Sequence, residues 1–422
     1  MTLSSLSLQR YSRAFATTLH PLAKKDFSIF WAGAFLSSLG FWIQTVGQGW
    51  QVLQLTNSAF LLGLVTLMAT LPNIFFCLFG GVLVDRWNRR YVLICTQAVY
   101  MLSALSLGIA TTLHVVTVWH IIIVALINGV FSSIGLPAWQ TFVTDLVPLK
   151  DLKQGVALDF MQNNLSRVIG PAIGGFSIGL AGIAGSYYLN ALSYIAVLIP
   201  LLLIHNVQRR NSTKQQSMWQ GLREGFRYVG RHSSLQIALF LQFMLVFLVF
   251  PFTTLMPIFA RDIFHVGAQG LGIMNATVGS GAFLGAVLFL VISPYVKRNL
   301  RLMVLLCITG GCASVVLGLT TNINMALLVL PILGLCTVMP LAVTNTAIQL
   351  MTPVEMRGRV LSIRILITFG LAPFGNLLAG WLAQNIGAQL TLGICGVLCA
   401  LVSLAVTIVQ TRRGIELRVV QS

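Results

Sequence analysis

Two stretches of this chain hold residues whose types and spacing could do chemistry. In Gly81-Val82-Leu83-Val84-Asp85-Arg86-Trp87-Asn88-Arg89-Arg90 a long apolar run breaks into one acid and three arginines. A carboxylate there can accept hydrogen bonds from a neighbouring helix amino terminus and pair with Arg86 or Arg89, so the cluster could latch two parts of the molecule in one state and release them in another. The plainer alternative is that these charges only set the direction in which the chain crosses a membrane. In Asn163-Asn164-Leu165-Ser166-Arg167-Val168-Ile169-Gly170-Pro171-Ala172-Ile173-Gly174-Gly175, Pro171 removes a backbone donor and bends a helix, while Gly170 and Gly174 admit a close neighbour. Counting about 1.5 Å per residue from Gln154 puts Arg167 roughly 20 Å into its apolar segment, where a cation requires a partner. No acid lies at that depth, so either carbonyls and amides near Pro171 or an anionic group of a ligand must answer it. Asp159, two turns lower on the same segment, is the acid best placed to exchange a proton, or else an interfacial residue that stays ionised.

Amides supply a second set of candidates. Gln44, Gln48 and Gln51 form an i, i+4, i+7 stripe, and Asn128, Asn164, Gln242, Asn275, Asn345 and Gln349 lie inside other apolar runs. An amide facing lipid is costly, so together with Arg167 they are expected either to line a central cavity or to join helices. Phe243, Phe247, Phe250 and Phe252 could wall such a cavity or pack a core. The seven cysteines sit in apolar runs without a C-x-x-C pair, as small core residues do, and no metal site is expected. No H-E-x-x-H, Walker loop or nucleophile elbow is present, so the chain is not read as an enzyme and no cofactor is expected.

The elements that position these residues are membrane helices. With 422 residues, 57% of them hydrophobic and 8% charged, and a mean hydropathy of +0.88, the chain has no polar coat for a soluble fold. Apolar runs begin near Phe27, Ala59, Tyr91, Thr117, Gln154 and Ala184, and again near Ser234, Ala268, Leu300, Asn324, Gly358 and Ala388. We therefore expect an all-α integral membrane protein of twelve transmembrane helices in two pseudo-symmetric six-helix bundles. The net charge of +17 falls in the loops, which argues for membrane topology and against nucleic acid. If the amino terminus is cytoplasmic, every lysine and arginine lies on the inner side except Arg261 outside and Arg167 and Arg364 within spans, so both termini are expected in the cytoplasm. The expected organisation is a tail (1–26), a first bundle (27–204), a linker (205–233), a second bundle (234–410) and a tail (411–422). The first 25 residues read as a tail, with a targeting segment as the alternative. In the linker, Met218, Trp219, Leu222, Phe226 and Val229 recur at helical spacing and Arg223, Arg227 and Arg231 share another face, as in an amphipathic helix lying on anionic headgroups. The halves echo each other: Leu146-Val147-Pro148 parallels Met351-Thr352-Pro353, and Gly170-Pro171 parallels Ala372-Pro373.

The spacing of Gly81, Asp85, Arg86, Arg89 and Arg90 resembles the loop between the second and third helices of the major facilitator superfamily. Asn88 replaces a glycine usual there, and is expected to tolerate the left-handed turn. Arg167, Gly170, Pro171, Gly174 and Gly175 resemble the antiporter motif of that superfamily's drug-exporting branches. The stretches PAWQTFVTDLVP, NNLSRVIGPAIGG and TPVEMRGRVLSIR are similar to the branch of macrolide efflux pumps and enterobactin-exporter-like proteins. The resemblance implies gating by the Asp85 cluster and export of an amphipathic drug or siderophore by proton antiport, from a monomer in the bacterial inner membrane. Import of a siderophore or nutrient, or a non-transporting sensor built on a transporter scaffold, are the alternatives.

Overall fold

The computed structural model describes residues 20–204, 218–293 and 299–412, with side chains outside 74–86, 218–222, 299 and 409–412. Every described element is helical. After a short turn at His20–Ala23 come α1 (Lys25–Thr56), α2 (Ala59–Arg86), α3 (Arg89–Thr112), α4 (Val118–Leu146) and α5 (Leu152–Leu203). The linker carries α6 (Met218–Gly230). Then follow α7 (Ser233–Met244), α8 (Phe252–Ile258), α9 (Gly267–Ile292), α10 (Asn299–Leu319), α11 (Ile323–Met351), α12 (Val354–Ile365), α13 (Ala372–Ile386) and α14 (Ala388–Arg412). Three π-helical segments, Leu245–Val249, Phe259–Ile263 and Leu366–Leu371, continue α7, α8 and α12, all after the linker. Among the described residues ten helical stretches are long and apolar enough to cross a membrane, and Ala59–Asn73 is a shorter apolar helix.

At 52 residues, α5 is far too long for one crossing, and it turns at Gly182 (φ 66°, ψ −177°), a conformation that needs a residue without Cβ. Its two limbs pack on α1 in opposite directions. Along α1, Gly33, Gly40 and Gly47 meet Ala196, Ser193 and Ser186 in descending order, whereas Gly170 and Gly174 of the first limb meet Trp42 and Ile43 in ascending order. Three glycines at seven-residue spacing let the backbones touch: a Cβ at Gly33 would collide with the Ala196 carbonyl oxygen.

The chain turns tightly at one end of the helices, called here the far end, where the described positive-φ residues collect: Asn57, His114, Gly182, His265, Gly267 and Gly387. The parts before and after the linker approach each other from mid-depth to this end. Gly63 of α2 meets Asn376 and Leu377 of α13, Gly175 of α5 meets Ala268 and Gly272 of α9, and Gly279 meets Arg167 and Val168. At the corner between α1 and α2, Arg261 Nη1 donates to the Leu53 carbonyl (3.0 Å) and Asn57 Oδ1 (2.6 Å), while the Ala59 amide donates to Gln384 Oε1 (2.8 Å).

At the opposite end of the helices, called the near end, α6 packs on α12 as well as presenting charge. Gly225 lies against the Arg359 backbone, Val229 joins Leu235, Ile348, Val360 and Ile363 in one apolar cluster, and Glu224 pairs with Arg359. Arg223, Arg227 and Arg231 stay exposed. Asn88 does not take the left-handed conformation expected of it. Its backbone is extended (φ −72°, ψ 113°) and its side chain caps α3 by accepting from the Arg90 amide, a role glycine cannot fill.

Candidate functional site

A cavity of about 280 Å³ lies wholly before the linker, between α1, α3, α4 and both limbs of α5. Its wall alternates aromatic rings (Phe41, Trp42, Tyr100, Trp139, Tyr194) with hydroxyls and amides (Ser37, Ser38, Thr96, Gln97, Ser132, Gln162, Asn163). Such a lining suits a bulky apolar molecule bearing a few polar groups. Pro137 and Pro171 lie inside α4 and α5 without ending them.

Asp159 stands at the edge of this wall. Its Oδ1 accepts from Trp139 Nε1 at 3.1 Å and from Gln162 Nε2 at 3.4 Å, and both donors belong to the cavity lining. The carboxylate and the cavity therefore share two side chains. Arg167, two turns further along, makes no ion pair with any described acid. Its guanidinium lies 5.5 Å from the centroid of the Trp42 ring, a cation–π contact that places its charge behind another wall residue.

The amides singled out in the sequence divide differently. Gln44 accepts from Asn190 Nδ2 (2.6 Å), while Gln51 accepts from the Tyr187 hydroxyl (2.6 Å) and donates to Thr111 Oγ1 (2.8 Å). Both join α1 to neighbouring helices. Asn164 and Asn275 donate to carbonyls of their own helices, and Gln242 donates to Thr368 Oγ1 (2.6 Å) beside a cleft of about 10 Å³. Gln48, Asn128 and Asn345 are half-buried and Gln349 is exposed. None of these residues lines the larger cavity. The residues that do, among them Gln97, Trp139 and Gln162, carried one signal in the sequence: Gln162 follows Asp159 by three residues, a spacing that puts both on one helix face.

At the near end, Arg89 and Asp145 form an ion pair (2.5 Å) with side chains 7% and 2% exposed, tying α3 to α4. Arg90 donates through Nε to the Leu201 carbonyl (2.5 Å) and through Nη2 to the Leu202 carbonyl (2.7 Å), so a cation closes the carboxyl end of α5. The side chains of Gly81, Asp85 and Arg86 lie outside the described residues. In the antiporter-like stretch Gly170 and Gly174 face α1, and Gly175 faces α9, where a Cβ would come within 2.8 Å of the Ala268 oxygen and the Gly272 Cα.

Residues 16–420 match the family described as transmembrane secretion effector. The chain belongs to this family of the major facilitator superfamily. A superfamily member is a multi-pass membrane transporter. The chain is similar to the staphyloferrin A transporter of Staphylococcus aureus, at 24% identity over 87% of this chain and 92% of that one. It is also similar to macrolide efflux protein A of Streptococcus pyogenes, at 22% identity over 94% and 98% of the two chains. The fold matches that of a bacterial homolog of the human lysosomal transporter Spinster in its inward-facing, occupied conformation, with a TM-score of 0.74, 14% identity and coverage of 93% and 98%. Of the charged loop that resembles the superfamily's motif, Arg89 is held by Asp145 and Arg90 by the end of α5.

Proposed function

We propose that this transporter exports an amphipathic small molecule, a drug or a siderophore, across the bacterial inner membrane by alternating access, in exchange for protons. The observation that carries the reading is the shared wall: the two donors that hold Asp159 also line the ligand cavity, so proton and ligand would bind to one group of side chains. The chain is taken to form twelve spans in two six-helix bundles joined by 205–233, with both termini in the cytoplasm. In that frame the far end is the outer face, and the contacts of Arg261 and Gln384 there, with the cavity nearer the other end, correspond to a conformation that loads from inside. Asp159 is the proton carrier, and Asp85 with Arg86, Arg89 and Arg90 forms the inner latch.

The test is accumulation of labelled siderophores and aromatic dyes in cells with and without the protein, before and after a protonophore. Lower accumulation that reverses when the gradient collapses supports export and identifies the substrate class. Higher accumulation would make it an importer, and no difference across both classes would remove the exporter reading.

A further inference from the structure

Two wall residues of the cavity hold an unanswered acceptor. Gln97 on α3 and Gln162 on α5 are 7% and 1% exposed, and the amide oxygen of each is buried with no hydrogen-bond partner among the described residues. A buried acceptor is expensive to leave unmet. For Gln162 the placement of the two amide atoms follows from its neighbour, because an ionised carboxylate only accepts and Asp159 therefore takes Nε2 and leaves Oε1 free. Two such oxygens beside Trp42, Tyr100 and Trp139 fit an aromatic molecule bringing N–H or O–H donors. An acceptor-only anion would leave both unmet.

We propose that the cavity takes an aromatic ligand through its hydrogen-bond donors, and that the side-chain amide of Gln162 exchanges that ligand for a proton on Asp159. The inference rests on the exporter reading and deepens it. With Asp159 ionised, Trp139 and Gln162 both donate to Oδ1, and Gln162 Oε1 accepts from the ligand. A proton arriving from water turns the carboxyl into a donor. A half-turn of the Gln162 amide gives that donor its acceptor and presents the amide NH₂ to the ligand, donor against donor, so the ligand leaves. Loss of the proton to water on the loading side restores the first arrangement.

The titratable groups around this corner do not replace Gln162 in that role. Tyr100 of α3 and Tyr194 of the second limb of α5 share the wall, and Arg167 is held over Trp42. Towards the near end stand Lys25 and Asp26 on α1, Lys153 on α5, the Arg89–Asp145 pair of α3 and α4, and His20 with Asp151 (3.2 Å). The described part of α9 has no ionisable residue, and none of these groups forms an ion pair with Asp159.

The test uses the full chain in lipid nanodiscs with two neutral fluorescent probes, N-phenylnaphthylamine and its N-methylated derivative, which differ by one N–H donor. At alkaline pH the amine is expected to bind about tenfold more tightly than the methylated compound, the worth of one buried hydrogen bond. The preference disappears in acid, in Asp159→Asn and in the volume-conserving Gln162→Met. Equal affinities at alkaline pH, or binding of neither probe, overturn the ligand class. A preference that survives acid, or that persists with its pH dependence in Gln162→Met, overturns the amide exchange while leaving gradient-driven export, measured separately in cells, intact. A ligand-free reading comes from infrared difference spectra between alkaline and acid buffer. The protonated Asp159 carbonyl band, assigned by its loss in Asp159→Asn, should shift in Gln162→Met, and an unchanged band contradicts the exchange.

Discussion

The parts of the chain before and after the linker are both helical and differ in what they place among their helices. Asp159 stands eleven residues beyond Pro148, and Arg364 stands eleven residues beyond Pro353, so counted from the prolines that open the two segments the same place carries an acid and a cation. Around Asp159 the first part opens a cavity of about 280 Å³ with a polar and aromatic wall. In the second part the Arg364 carbonyl accepts from Thr368, which in turn accepts from Gln242, and Gln242 borders a cleft of about 10 Å³. The described π-helical segments all belong to the second part, and one of them, Leu366–Leu371, begins two residues after Arg364. Such segments mark places where a helix can change its winding. The difference teaches that the two parts are built unlike one another: the first holds the larger cavity, and the second holds the described π-helical segments.

The near-end ion pairs give the sharpest way to break this comparison. Arg89→Met leaves the Asp145 carboxylate, 2% exposed, without its α3 cation and is expected to cost about 3–5 kcal/mol in denaturant unfolding, whereas the double change Arg89→Met with Asp145→Leu should recover most of it. Next comes the seam between the parts. A Cβ at Gly272 would lie 2.7 Å from the Gly175 Cα and the Pro171 oxygen, so Gly272→Val should oppose far-end closure by about 1–3 kcal/mol. The measurement is maleimide labelling from the far side at an engineered Gln269→Cys, which should rise. Arg261→Ala removes the two hydrogen bonds to Leu53 and Asn57 at the same end, along with the local pair to Asp262, and should raise that labelling by a smaller factor, for about 1 kcal/mol. Smallest is Arg359→Met. Its pair with Glu224 is 24% and 45% exposed, so unfolding should change by less than about 1 kcal/mol, in contrast to the buried pair of the first part.

The membrane helices and their order were legible because apolar runs and loop charges are long-range signals that one sequence carries in full. The short turn at Gly182 was also within reach, since the runs ending there left no room for a loop. The cavity was not. Gln44 and Gln51 have the spacing of a polar stripe, but that spacing is the same whether the face meets a cavity or the Asn190 and Tyr187 side chains of another helix. The aromatic neighbour of Arg167 was illegible for a related reason: the depth of the cation calls for carbonyls, amides or a ligand anion, and Trp42 lies more than a hundred residues away on α1. Arg89 is legible from its motif, but its pairing with Asp145 is not, because nothing in the sequence brings the ends of α3 and α4 together. Asn88 was judged by the residue it replaces, and the capping bond it makes depends on where α3 begins.

The most direct measurement compares Asp159 with its counterpart. In inside-out vesicles, proton movement on adding a transported substrate should be present in the unaltered protein and in Arg364→Gln and absent in Asp159→Asn, at equal amounts of folded protein in the vesicles. Proton movement that persists in Asp159→Asn, or that is lost in Arg364→Gln alone, would contradict the assignment of proton exchange to the first part of the chain.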